Sequence, residues 1–136
     1  MRRWLPWLLA VPAVVAAACP PAAADGTLVS GSGVQAAWRV ADAAAIGVSE
    51  HFALFVRLCP ATAELLAVDA TMPAHRHGMN YRPALKPLGD GRWRVEGLLF
   101  HMPGQWELRL DVRLDVRLDA RLNGQTQALR TTVELP

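Results

Sequence analysis

Six side chains that favour soft metals crowd into one short span of this chain: Met72, His75, His77, Met79, His101 and Met102. The chain holds four His and four Met in all. Met1 is the initiator, and every other Met and three of the four His lie between positions 72 and 102. Imidazole and thioether together suit copper, as Cu(I) or as Cu(II) with a weak axial Met. Zinc prefers Cys, His or carboxylate. Calcium and magnesium need oxygen ligands, and no Asp or Glu lies between Ala70 and Gly89. The chemistry these residue types predict is copper binding, with Cu(I) favoured. A plainer use of the same residues is a surface loop with three Met plugging one end of a core.

Spacing sharpens the expectation. In extended backbone His75 and His77 point to the same side, about 6.5–7 Å apart at Cα, so two imidazoles can converge on one ion. Gly78 is expected to take backbone angles closed to other residues and to turn Met79 toward the same point. Pro73 fixes the approach and restricts Met72. His101 and Met102 close another strand and join the site if they reach the same rim. Arg76 is expected on the opposite side, anchored to an acid or free for a partner protein. Tyr81 is expected to close over the loop with its hydroxyl bonded locally. His51 opens a different strand, lacks Met neighbours and reads as structural or surface.

The elements that must position these residues are strands. Val34, Ala36, Trp38 and Val40 alternate with small or polar residues, and Phe52, Leu54, Val56 and Leu58 do so again; a period of two is the strand signature. Residues 25–33 read as a leader or first edge strand, and 41–47 as a connection with a short helical turn. Residues 64–71 read as a buried strand. Pro73, Gly78, Pro83 and Pro87 punctuate the motif loop, and Gly89-Asp90-Gly91 is a tight turn. Residues 92–100 alternate Trp93, Val95 and Gly97 against Arg94 and Glu96. Trp38, Trp93 and Trp106 are expected to fill the core. From Leu108 to Leu122 an apolar residue takes every second place, with Arg or Asp between. This repeat of Arg-Leu-Asp-Val would span about 50 Å as one strand, so it should bend, bulge or project. Asn123-Gly124 is a strong hairpin signal, predicting Leu118 opposite Leu129, Leu114 opposite Val133 and Arg113 opposite Glu134. The pattern predicts an all-β fold: an immunoglobulin-like antiparallel β-sandwich of about seven strands with a C-terminal β-hairpin. A small barrel is the alternative.

The first 24 residues read as an export signal: Arg2 and Arg3, an apolar run over 5–18, and a small-residue cleavage site at Ala22-Ala23-Ala24. Lipidation at Cys19, behind Ala16-Ala17-Ala18, is the alternative. The full chain has 14 Lys+Arg and 12 Asp+Glu. The signal carries two Arg and no acid, so the remaining 112 of 136 residues hold twelve of each. That neutral balance argues against nucleic acid. Residues 25–136 form one domain. Cys59 would be its lone cysteine, expected as a buried small hydrophobe or, alternatively, a soft metal ligand. No catalytic constellation stands out, so no enzymatic activity is expected.

The stretches Asp69-Ala70-Thr71-Met72-Pro73-Ala74-His75-Arg76-His77-Gly78-Met79 and Gly97-Leu98-Leu99-Phe100-His101-Met102-Pro103-Gly104-Gln105-Trp106 resemble the YtkA-like domain family of exported bacterial proteins, related to the FixH-like group. The likeness extends over roughly residues 50–118. It implies a small immunoglobulin-like sandwich outside the cytoplasm, linked to copper handling and the assembly of membrane oxidases. The positions that match the family are Met72, His75, His77, Met79, His101 and Met102. The Arg-Leu-Asp-Val expansion departs from it. In architecture and Met/His usage alone, the chain also resembles periplasmic copper carriers of the CopC type. Residues and resemblance together lead to one expectation: a monomeric periplasmic protein that holds or delivers copper, with a membrane metalloprotein or its assembly factors as partner. The alternative is a non-metal module of the cell envelope whose motif loop recognises a protein.

Overall fold

Alternating apolar residues give this chain strands with one dry face each, and two such sheets bury those faces against each other. The computed structural model describes residues 21–42, 45–118 and 121–136, with side chains described outside 116–123. Its strands are β1 (Thr27–Ser30), β2 (Gln35–Ala41), β3 (His51–Cys59), β4 (Glu64–Met72), β5 (His77–Gly78), β6 (Ala84–Gly89), β7 (Arg92–Leu99), β8 (Gly104–Leu118) and β9 (Arg121–Leu135). One sheet has the order β1-β2-β3-β7-β6 and the other β5-β4-β8-β9. All pairings are antiparallel. The immunoglobulin-like sandwich read from the sequence is the fold.

The seven expected strands are all present, and two more appear. β5 is two residues long and β6 lies where Pro83 and Pro87 suggested only loop. Proline has no N–H to donate, so it suits an edge strand, and β6 is an edge. Inward residues come from both sheets: Phe52, Leu54, Val56 and Leu58 on β3, Leu65, Val68, Ala70 and Met72 on β4, and Trp106, Leu108, Leu110 and Val112 on β8. Trp38 and Trp106 are buried, and Trp93 packs against the core half-covered. The Gly89-Asp90-Gly91 turn forms as read, with all three residues at positive φ.

Two local expectations fail for physical reasons. The alternation of β7 breaks at Gly97, which has φ of 85°. Phe52 pairs with Leu98 but Leu54 pairs with Val95, so β7 carries one extra residue there. That bulge shifts the phase, and Leu98 and Phe100 face the core in place of Leu99 and His101. The second failure is the hairpin register. Asn123 pairs with Val116 and Gly124 with Asp115, inside the ladder; Leu110 faces Leu129, Trp106 faces Val133 and Gln105 faces Glu134. In the expected register the last residue, Pro136, would meet Asp111, and the start of β8 would lack a partner on that side. The observed register pairs β8 from Gly104. It keeps the same parity, so the same side chains stay inward.

β4 reaches along β8 only as far as Arg113, opposite Glu64. Beyond it β8 and β9 continue as a two-stranded ladder to Leu118 and Arg121, and Gln127 of β9 is hydrogen-bonded to the Ser32 backbone in the β1–β2 connection. Cys59 is not the lone thiol the sequence suggested: it is disulfide-bonded, and no cysteine among the described residues is free. That removes it as a soft metal ligand. Residues 1–20 of the expected 24-residue export signal, Cys19 among them, lie outside the described part, while the expected cleavage site at Ala22-Ala23-Ala24 leads into a 3-10 turn, Ala23–Asp25. No described helix is long and apolar enough to cross a membrane.

Candidate metal centre

The motif loop is a short hairpin at one end of the four-stranded sheet. Met72 pairs with His77 and Thr71 with Gly78, which leaves Pro73-Ala74-His75-Arg76 as the turn. The His75 N–H donates to the Met72 carbonyl at 3.2 Å. His75 and His77 are therefore not neighbours on one extended strand, as the spacing had suggested. The residue with left-handed backbone is Arg76, at φ 53°, and not Gly78. Four residues that close a hairpin need a chain reversal, and the positive φ falls on the last of them, just before pairing resumes. Gly78 sits in β5 without a positive φ, and a Cβ there would make only ordinary contacts, at 3.9 Å, with Ala70 and Thr71.

The hairpin still brings the two imidazoles together. The rings of His75 and His77 lie 6.2 Å apart, nearly parallel at 23°. His101 arrives from the β7–β8 connection, and its ring stands 5.8 Å from that of His77, close to perpendicular. The Gly97 bulge is what sends His101 to this rim. Trp106 supports it from below, edge-on at 5.4 Å, while stacking flat on Phe100 at 4.6 Å. The Trp106 indole N–H donates to the Met102 carbonyl at 3.0 Å, so the indole fixes the backbone just after the two candidate ligands His101 and Met102.

The three sulfurs take different depths. Met72 is only 2% exposed and belongs to the core. Its terminal methyl lies 3.0 Å from where a Cβ on Gly104 would stand, so Gly104 leaves it room. Met79 and Met102 are half-buried and pack against the core. The Met79 N–H donates to the Ala70 carbonyl at 3.2 Å, which carries β5's path one residue further. His75 and His77 are exposed and His101 is half-exposed. Depth thus runs from buried Met72 through Met79, Met102 and His101 to exposed His75 and His77.

Two imidazoles that share an ion at nitrogen–metal distances of about 2.0–2.1 Å hold their centroids roughly 5–6.5 Å apart. Both observed separations fit. Counting only His, Cys, Asp and Glu, no group of three or more among the described residues is placed to hold an ion. A centre here has to complete itself with thioether sulfur, which is the donor set that copper accepts and zinc does not.

The neighbours depart from expectation in two places. Arg76 is exposed and makes no ion pair among the described residues, so it anchors to no acid. Tyr81 is 51% exposed and sets its ring edge-on against His51 at 5.4 Å, with no hydroxyl bond among the described residues. His51, read from sequence as a bystander, therefore has an aromatic partner from the segment after the loop. No spacing signal could have linked residues thirty apart.

Comparison with family models, curated proteins and solved structures finds no match for the chain. The resemblance drawn from the two motif stretches rests on those residues alone.

Proposed function

We propose that this is an exported copper-binding protein that holds or delivers copper in the periplasm, using His75, His77, His101, Met79 and Met102, with Met72 beneath them. One observation carries the reading: segments separated by more than twenty residues converge, with the His77 ring 5.8 Å from that of His101, and Met79 and Met102, two and one residues further along the chain from these histidines, lie half-buried against the core. Copper is the cargo here. The chain's own contribution is to present exposed imidazoles that meet and release the ion, and half-buried sulfurs that favour Cu(I) over harder cations. An exposed, loop-borne site exchanges its ion readily, as delivery to a membrane metalloprotein or its assembly factors requires.

The test is a Cu(I) titration of the purified protein against a competing chelator, beside a His75→Ala/His77→Ala variant of checked fold. Tight one-to-one binding lost in the variant is expected. Equal binding by both would remove the metal reading. Met79→Leu keeps the volume and removes a donor, and should weaken binding about tenfold or more, given that shell partners of metal sites cost 10–100-fold.

A second reading, a protein-recognition loop without metal, draws on Arg76, which is exposed in the turn of the hairpin and makes no ion pair among the described residues. Arg76→Ala would then abolish partner capture and leave copper affinity unchanged.

A further inference from the structure

Below the hairpin, no described strand lies on the outer side of β4. The edge can be read residue by residue. In the β4–β8 ladder Ala70 faces Leu108 and Val68 faces Leu110, so the two residues share a phase. Ala70 directs its carbonyl away from β8, to the Met79 N–H. Residues two apart in a strand aim their N–H and C=O at the same neighbour. Val68 therefore also aims both groups outward, past the end of β5, where no described strand lies. The ladder stops there because the Asp69 carboxylate takes the Ala70 N–H at 2.8 Å. Leu66 is the extra residue of a bulge that closes the far end of the free edge.

The free edge opens into a cleft of about 520 Å³, walled by the segment from Met79 to Pro83, Leu85 of β6 and Arg109 of β8. That is within the size range of ligand sites. Its rim carries apolar surface, Leu66 at 38% and Tyr81 at 51% exposure. Its charges are mostly positive. Arg82 is exposed and makes no ion pair among the described residues. The Arg109 Nε lies 3.2 Å from an Asp111 oxygen, yet it is enclosed and lacks a hydrogen bond. The one acid in the lining, Asp69, is already engaged by a backbone N–H.

We propose that this cleft docks an extended acidic segment of a partner protein, which adds to β4 in line with β5. Backbone groups at Val68 supply the pairing, and Arg82 and Arg109 choose carboxylates among the side chains that alternate along the segment. A small molecule would have no use for a strand edge. A second copy of this chain would bring Arg82 and Arg109 against themselves. Met79 lines the same cleft, so an occupied groove touches the candidate metal centre. The proposal nonetheless does not rest on metal.

The experiment is an NMR titration of the full chain, kept metal-free with chelator, using an end-blocked peptide of alternating Thr and Glu. The expected result is a shift and slowed hydrogen exchange of the Val68 amide, with further shifts at Tyr81, Arg82 and Arg109. The Lys-for-Glu peptide and a peptide N-methylated at alternate residues should bind at least about tenfold more weakly, a difference of roughly 1.4 kcal/mol. Arg82→Gln, at an exposed position, should weaken the acidic peptide while leaving the fold intact, and Arg82→Gln/Arg109→Gln should weaken it further. An unmoved Val68 amide, or equal binding of the Lys or N-methylated peptide, would overturn the proposal. Concentration-dependent sedimentation with the same Val68 shift in the absence of peptide would overturn it in favour of self-association.

Discussion

Arg76 holds the one left-handed backbone position of the motif hairpin, although glycine stands only two residues away. A side chain at positive φ costs on the order of 1–3 kcal/mol when the surroundings enforce it. Arg76→Gly should therefore raise stability by about 1 kcal/mol in denaturant unfolding. Gly78→Ala should stay within about 0.5 kcal/mol of the parent, because its new methyl would meet nothing nearer than 3.9 Å. The opposite ranking would show that Gly78, and not Arg76, closes the loop. A residue retained against its own backbone preference suggests a use for that side chain, and the same Arg76→Gly variant would reveal the loss in a partner assay. The sequence made the six donor residues visible by type and clustering. It pointed to the wrong turn residue because permissiveness for positive φ is a property of glycine, whereas the need for it depends on where pairing stops and resumes. Met72 illustrates a second limit: spacing identifies a thioether but not its depth, which follows from the inward phase of β4.

Two elements set the geometry of the site, and each holds a feature that periodicity alone hides. β7 has a bulge at Gly97 that turns Leu98 and Phe100 inward and leaves His101 at the rim. A Cβ at Gly97 would meet no atom within 4 Å, but φ there is 85°. Gly97→Ala should accordingly cost about 1–3 kcal/mol through backbone strain, without a steric clash. It should also weaken Cu(I) binding, because relaxing the bulge withdraws His101; unchanged affinity with the expected loss of stability would detach the bulge from the site. β8 was legible as a strand at once, because no helix tolerates so strict a period of two. Its partner register was not, since Asn-Gly is a local signal and the cost of stranding the start of β8 is a tertiary one. A Gln105→Cys/Glu134→Cys pair should cross-link under mild oxidant, because those residues are Cα partners and paired residues fall within disulfide reach. Arg113→Cys/Glu134→Cys, the partners of the Asn-Gly register, should not. Mass analysis of the digested product distinguishes the two.

At the scale of the molecule, alternating hydrophobicity was enough to give the sandwich, because each sheet has to bury one face. What it could not give is how the wet faces are tied together, and there the outer side of the five-stranded sheet is informative. Arg94 on β7 binds the carboxylates of Asp42 and Glu96, and its guanidinium also lies 5.3 Å from the centre of the Phe55 ring on β3. Lys86 on the edge strand reaches the same Glu96 at 3.1 Å. One arginine thus links the end of β2, the middle of β3 and β7, and the edge strand β6 joins through the shared acid. Hydrogen bonds from Arg94 hold the Asp42 carboxyl below its ordinary value, and bonds from Arg94 and then Lys86 do the same for Glu96. A carboxyl whose folded value lies below its unfolded value stabilises the fold fully above the unfolded value, and that contribution is lost as pH falls through the folded one. The loss therefore belongs to the acid side, beginning near the ordinary carboxylate range of about 4 and growing below it. Asp42 is exposed and Glu96 is partly so, and the effect is therefore small and screened by salt. Asp42→Asn/Glu96→Gln should flatten the acid limb of a stability–pH profile measured at low ionic strength, leave the slope above about pH 6 unchanged, and lose its difference from the parent in about 1 M salt. A parent profile already flat through the acid range would show that these ion pairs contribute nothing to holding the sheet together.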